Sequence, residues 1–228
     1  MVLSNYKGEE IIDSITIRQG KKYFDKKWMP RTVFNDTKDK DAYIIGNGES
    51  RQGFDLTCLP NDTYGCNALY RDYDPNFLVV IDAPMYQEVI ENDYPQKGIV
   101  YTNRSNMLKY QGASHLIPHN QYLGAGGTAM HVAIHDGHKK LICLGFDCSL
   151  NGPNNNVYKD TNAYKSSTEN VDQTVWAKEI YKLMINNPTI QWIFVDCEIP
   201  GDFLNLDNCS TWQYNELNTH INTKNETT

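Results

Sequence analysis

The sequence predicts a doubly wound α/β fold: a mostly parallel, Rossmann-like sheet with helices on both faces and a lid loop. Three observations carry that prediction. From Asp41 onward, short apolar runs alternate with polar, helix-like stretches, the signature of βαβ units. Several apolar runs end in glycine, asparagine or aspartate, the residue types that turn a strand into a ligand-facing loop in open α/β sheets. The length, 228 residues, suits one such domain with a short appendage.

Residues 1–40 are charged and weakly periodic, with lysine pairs at Lys21-Lys22 and Lys26-Lys27 and a Met29-Pro30 break, and read as an N-terminal arm or cap. Strands are expected at 42–46, 63–67, 77–82, 97–101, 139–146 and 190–196, and helices at 49–57, 84–92, 126–137 and 169–186. The last helix starts from a Ser167 or Thr168 cap with Glu169 behind it and repeats apolar residues at Val171, Val175, Trp176, Ile180, Leu183 and Met184. Residues 147–168 are rich in Asn, Gly, Ser and Lys without periodicity, and a connection of that length reads as a lid. The Rossmann-like domain thus covers 41–216, and 217–228 reads as a flexible tail.

Composition narrows the function. Lys+Arg number 21 against 28 Asp+Glu, a net charge of −7 with no long basic run, which disfavours a partner that presents a phosphate backbone, so no nucleic acid is expected. No apolar run approaches the roughly 18 residues of a membrane span. The N-terminus lacks a secretory pattern, so the expected location is cytoplasmic, the host cytoplasm for a viral protein. The six cysteines are scattered over a chain that needs no staples, and Cys66, Cys143 and Cys197 read as reduced thiols in buried strands.

The most informative segment is Tyr43-Ile-Ile-Gly-Asn-Gly-Glu-Ser-Arg51. A buried strand runs into Gly46, Asn47 and Gly48, and Ser50 is placed to cap a helix whose N-terminus suits a phosphate or ribose. A tight βα turn without a ligand explains the same residues, and Arg51 replaces the third glycine of a dinucleotide fingerprint. Asn67 ends the Thr63–Asn67 strand, where an amide can both donate to and accept from a base or sugar. Gly126, Gly127 and Thr128 open a glycine-rich helix start, and Asp82 and Asp147 each follow an apolar strand. His131, His135 and His138 have a spacing that zinc sites use, but they lack the accompanying Glu and read as a solvated helix face, so no metal ligands are assigned there.

Ile45-Gly-Asn-Gly-x-Ser50, Cys66-Asn67, the Gly-rich helix start and Leu144-Gly-Phe-Asp147 together resemble the bacterial lipooligosaccharide sialyltransferases. They are also similar to the related 6-hydroxymethylpterin diphosphokinase-like superfamily, which includes uncharacterised phage proteins. The resemblance implies that Asn47 and Asn67 contact a donor nucleotide, that Gly126 faces its phosphate, and that Tyr158 is the lid tyrosine near the leaving phosphate. Tyr122 stands where those enzymes carry an arginine, Ala125 where they carry a serine, and Ser149 where they carry a first lid tyrosine. No histidine lies between His138 and His220 to match their base.

The leading expectation is transfer of a sugar from a nucleotide donor, with no cofactor required. Asp147 or Asp82 would serve as base or as a ligand for a possible Mg²⁺. Pyrophosphoryl transfer with Mg²⁺ held by both aspartates, and a non-catalytic nucleotide-binding or virus-associated interaction protein, are the alternatives. The partner is a nucleotide-sugar or another nucleotide, and the oligomeric state is not assigned.

Overall fold

The structure is a computed structural model that describes residues 8–30, 41–60, 62–148, 152–153, 155–164, 166 and 170–225. Its centre is an eight-stranded parallel sheet in the order β12-β11-β8-β3-β4-β5-β6-β7. The strands are β3 (Asp41–Ile45), β4 (Thr63–Cys66), β5 (Phe77–Val80), β6 (Ile99–Thr102), β7 (His115–Leu116), β8 (Lys140–Leu144), β11 (Gln191–Val195) and β12 (Cys209–Trp212). The chain steps outward from β3 to β7, returns to pair β8 with the other side of β3, then steps outward again to β12. That reversal between β3 and β8 is the switch point at which open α/β sheets form a crevice beyond their strand ends.

Burial follows from the period of two along each strand. Ala42, Ile44, Leu141, Cys143, Trp192 and Phe194 face a core shared with α3 (Ala125–His135) and α4 (Thr174–Asn186). Tyr43, Ile45, Ile142, Leu144, Ile193 and Val195 face the opposite core with α1 (Ala83–Glu91) and α6 (Tyr214–Asn225). Both faces are covered, which is why these strands read as continuous apolar runs and not as alternating ones. Two short helices, α2 (Arg104–Lys109) and α5 (Gly201–Leu204), complete the connections.

Several expectations are corrected. The expected helix 49–57 is a pair of 3₁₀ turns, Glu49–Arg51 and Leu56–Cys58, because Gly53 takes a left-handed φ of 86° and Asp55 caps a fresh turn through Thr57 N–H at 2.9 Å. Helix α4 starts at Thr174, whose N–H and hydroxyl both donate to Asp172 Oδ1 (2.9 and 2.6 Å), and Asn170–Val171 (β10) pairs instead with Gly152–Pro153 (β9). The expected cap at Ser167 or Thr168 lies outside the described residues. Within the N-terminal 40 residues, β1 (Gly8–Arg18) and β2 (Lys21–Pro30) form an antiparallel hairpin across Gln19-Gly20, both at positive φ.

The region expected to be a flexible tail is mostly the helix α6. Leu217 and Ile221, one turn apart, are buried in the sheet's second core, and His220 Nε2 and Lys224 Nζ lie 2.6 and 2.8 Å from Asp41 Oδ2 at the start of β3. Burial alone would raise the Asp41 carboxyl, yet the bonds from Lys224 and His220 hold it below its usual value. The histidine row is a solvated face only at His135, which is exposed. His131 is buried with Nε2 2.8 Å from the Pro118 carbonyl, and His138 is buried with Nε2 3.0 Å from the Tyr64 hydroxyl, which donates to Asp136 at 2.8 Å. Among the described residues no group of three or more His, Cys, Asp or Glu is arranged to hold a metal ion, and no helix is long and apolar enough to cross a membrane. All six cysteines are free thiols; Cys66 and Cys143 are buried as expected, whereas Cys197 is half-buried.

Leu217→Ala tests the docking of α6. Removing a fully buried leucine should cost about 3 kcal/mol, read as a lower urea midpoint at unchanged slope, whereas a frayed tail would give no shift.

Candidate functional site

A cleft of about 470 Å³ opens at the carboxyl edge of the sheet, over the switch point. Its floor comes from the loops after β3 (Gly46, Asn47, Gly48), β4 (Asn67), β5 (Asp82) and β8 (Gly145 to Cys148). Gly124 to Gly127, at the entry to α3, form one wall, and Gln173, Trp176, Glu179 and Ile180 of the α4 region form another. Asn155, Asn156, Ala163 and Tyr164, from the lid segment, close over it.

The glycines of the floor are required by the protein itself. A Cβ on Gly46 would strike the Gly145 carbonyl, one on Gly48 would strike the Asp147 carboxylate, and one on Gly126 would come within 2.8 Å of the Phe146 ring. Close packing of the β3 and β8 ends, tied by Gly46 N–H to Leu144 O and Gly48 N–H to Gly145 O (both 2.8 Å), therefore explains them without a ligand. The reading that fits these glycines is the tight turn, and the case for a ligand rests on other atoms.

Those atoms are the side-chain amides of Asn47 and Asn67. Asn47, only 8% exposed, donates through Nδ2 to the Cys66 carbonyl and the Tyr164 hydroxyl, both at 3.2 Å. Asn67, at a left-handed φ of 48°, donates through Nδ2 to Asp82 Oδ2 at 2.9 Å. Since a carbonyl and a carboxylate can only accept, both amide orientations are fixed, and both Oδ1 atoms are buried with no hydrogen-bond partner among the described residues. An unsatisfied buried acceptor costs about 1–3 kcal/mol, so two of them on adjacent strand ends in one cleft mark a place where a donor is wanted.

The wall opposite is the N-terminus of α3. Gly124 is its N-cap, with no side-chain cap bond, and the first-turn N–H groups of Ala125, Gly126 and Gly127 have no place in the helix's own hydrogen-bond ladder. Glu179 Oε2 accepts the N–H of Gly124 at 2.8 Å. No lysine, arginine or histidine is among the described residues of the lining, which carries three carboxylates: Asp82, Asp147 and Glu179.

Of the residues singled out in the sequence, Gly46, Asn47, Gly48, Asn67, Asp82, Gly126, Gly127 and Asp147 are brought together here. Ser50 is not part of the lining: its N–H donates to Asp147 Oδ2 at 2.8 Å and its hydroxyl lies 3.6 Å from Cys197 Sγ. Thr128 turns its hydroxyl back to the Leu123 carbonyl at 3.1 Å. Tyr158, expected near the leaving phosphate, sits in the second core, where its hydroxyl receives Arg51 Nη2 at 2.8 Å and meets Asp72. The lid tyrosine at the cleft is Tyr164, six positions on. Asp82 and Asp147 do not stand on neighbouring strands: β3 and β4 lie between β5 and β8, which sets their strand ends about 14 Å apart at ordinary strand spacing.

No family model and no curated protein matches this chain. Among solved structures it is similar to a crystal structure of a variant of the sialyltransferase CST-II in complex with CMP. The two are 18% identical over 73% of this chain and 84% of that one, with a TM-score of 0.43.

The lid is fastened down by polar bonds at two points. Over β3, Val157 N–H donates to the Asn47 carbonyl at 2.9 Å, Asn155 Oδ1 accepts Glu49 N–H at 2.7 Å, and Lys159 pairs with Glu49. Beside α1, the Arg71 guanidinium joins Glu88 (2.7 and 2.8 Å) to Thr161 Oγ1 and the Asn162 carbonyl, and Asn162 Nδ2 donates to Glu88 at 2.5 Å. Arg71 is the main reason that the Glu88 carboxyl is depressed from 4.5 to about 2. A depressed acid stabilises the fold above its unfolded pKa and loses that contribution as pH falls, here from about 4.5 toward 2. Glu88→Gln should therefore speed amide exchange across 155–164 roughly tenfold at pH 7 and remove this share of the acid-induced loss of stability. Exchange mass spectrometry and melting curves at pH 7 and pH 3 measure the two effects; unchanged exchange would show that the pair does not hold the lid.

Proposed function

We propose that this chain is a glycosyltransferase-like enzyme that transfers a sugar from a nucleotide donor bound across the ends of β3, β4 and β8. The observation that carries the reading is the pair of orientation-fixed asparagines with buried, unpartnered Oδ1 atoms, both of which line the same cleft as the open N-terminus of α3. Asn47 and Asn67 accept from donor groups of a base or ribose, and the first-turn N–H groups of α3 receive the phosphate. As the glycosidic bond breaks, charge grows on that phosphate, and fixed N–H donors in a site closed to water stabilise it more in the transition state than in the ground state. One such donor contributes on the order of 3 kcal/mol to the barrier. Asp82 and Asp147 then serve as positioning groups, one aiming the Asn67 amide and the other holding the Ser50 turn.

The acidic lining favours a donor of low charge. A phosphodiester-linked sugar brings one negative charge among three carboxylates, and a diphosphate-linked sugar brings two. A divalent cation that neutralised a diphosphate would lift that penalty without needing both aspartates as ligands. The strand order speaks against the alternative in which Asp82 and Asp147 jointly grip one Mg²⁺ for pyrophosphoryl transfer.

Calorimetric titration of CMP, UDP, GDP and ADP, with Mg²⁺ and with chelator, tests the reading. The monophosphate is expected to bind in chelator and the diphosphates to need Mg²⁺ for comparable affinity. Asn47→Ala and Asn67→Ala should each weaken binding about tenfold in proteins whose melting curves remain cooperative. Absence of binding by every nucleotide would remove the proposal. Binding without turnover of any CMP-, UDP-, GDP- or ADP-linked sugar would leave a nucleotide-binding module.

A further inference from the structure

The donor reading leaves one wall of the cleft unused. Trp176 and Glu179 lie three residues apart on α4, which puts them on one face of the helix, and both line the cleft against Gly124. A Cβ on Gly124 would meet Trp176 Cδ1 at 3.2 Å and Glu179 Oε2 at 3.4 Å, so this glycine lets both side chains close on the α3 entry. Trp176 is 49% exposed although it belongs to the apolar repeat of α4, and its ring is a flat apolar surface with one N–H at its edge.

The thiols and the phenol of the lining keep their protons at neutral pH. Burial pushes the Cys66 and Cys148 thiols up to about 12 and pushes the Tyr164 phenol up as well. Asp82, Asp147 and Glu179 each accept a hydrogen bond from a neighbour, and of the three Glu179 is the one on the helix that carries Trp176. Glu179 has one oxygen, Oε2, held by the Gly124 N–H, which orients the carboxylate and leaves Oε1 for another proton.

We infer that Glu179 is the general base of an acceptor subsite in which Trp176 stacks against a saccharide ring. This inference rests on the donor reading above. The acceptor hydroxyl gives its proton to Glu179 Oε1 while its oxygen bonds to the anomeric carbon of the donor sugar. The bond from that carbon to the phosphate oxygen breaks, its electron pair stays on the phosphate at α3, and the nucleotide leaves as an anion. Glu179 stands beside the phosphate site, so its charge also opposes nucleotide binding. That gives the residue a signature that a structural cap would not have.

The test uses the full chain and CMP-, UDP-, GDP- and ADP-linked sugars, followed as nucleotide release with water alone and with methyl galactoside, methyl glucoside and methyl N-acetylglucosaminide as acceptors. Glu179→Gln should bind the nucleotide as tightly as wild type or a few-fold tighter and turn over 10²- to 10³-fold more slowly. Trp176→Ala should lower transfer to the glycosides at least tenfold more than release to water, and Trp176→Phe should recover part of the transfer. Glu179→Gln with wild-type turnover, or with nucleotide binding weakened in proportion to rate, would overturn the base assignment. Equal transfer by Trp176→Ala, or no transfer by wild type to any glycoside, would overturn the saccharide subsite. A wild type that binds none of the nucleotides fails at the donor reading, and one that binds them but never turns over fails at the transferase reading and overturns the base assignment with it.

Discussion

The close approach of Gly46 to Gly145 is the constraint on which the site depends. At the centre of the sheet, the chain leaving β3 and the chain leaving β8 meet backbone to backbone, with no side chain between them and a Gly145 φ of 69° that an L side chain rarely adopts. Because the chain reverses its winding between these strands, the two ends must diverge just past the contact. Asn47 leaves toward β4 and the lid, Asp147 leaves toward the Ser50 turn, and the cleft is the gap between them. A Cβ at Gly46 or Gly48 would push the strand ends apart and carry the Asn47 amide and the Asp147 carboxylate with them.

The lid is built on the same logic of fixed polar partners. Arg51 is nearly fully buried, and it is tolerated there because Tyr158 accepts from its guanidinium and Asp72 lies 3.7 Å away. Arg51 and Arg71 also lie over the Tyr158 ring at 5.4 and 5.6 Å. The two lid tyrosines thus divide the work. Tyr158 pins the lid into the core beneath, and Tyr164 delivers a hydroxyl to Asn47 Nδ2 and to Ala68 N–H at the cleft. A lid held by side-chain bonds on a fixed floor arranges the site before a ligand arrives, which spares the ligand much of the ordering entropy.

Much of this was legible in the sequence, and the remainder was hidden for identifiable reasons. Six of the eight strands of the sheet, together with α1, α3 and most of α4, announce themselves because strands buried on both faces must be continuously apolar. Asn47 and Asn67 meet at one cleft because a residue just past a parallel strand has one edge of the sheet to occupy. The strand β12, with the sequence Cys-Ser-Thr-Trp, is an edge strand, half-exposed and too polar to stand out. Helix α6 left only the i, i+4 pair Leu217 and Ile221 as a signal in a polar surround. Choosing Tyr164 over Tyr158 needs the path of a segment with no periodicity, and that path is set by partners, Arg51 and Asp72 for one and Asn47 for the other, that lie far away in the chain. Trp176 and Glu179 were hidden differently: Trp176 matched the apolar stripe of α4, and nothing in a helical period separates a residue that packs on the sheet from one at the rim of a cleft.

An acidic cleft can offer a place to an anion only through its backbone. Every ionised side chain in the described lining is a carboxylate, so attraction for a phosphate has to come from the backbone. The N-terminus of α3 supplies roughly half a positive charge through N–H groups that need no side chain and move little when the ligand enters. Glu179 partly offsets that field by taking the Gly124 N–H, at the rim and not in the first helical turn. Asp82 is turned toward the Asn67 amide, and Asp147 toward the Ser50 N–H, so part of the negative charge of each is spent on a neighbouring donor. The cleft therefore sets the N–H donors of α3 among three carboxylates, one of which, Glu179, stands at the same wall as those donors.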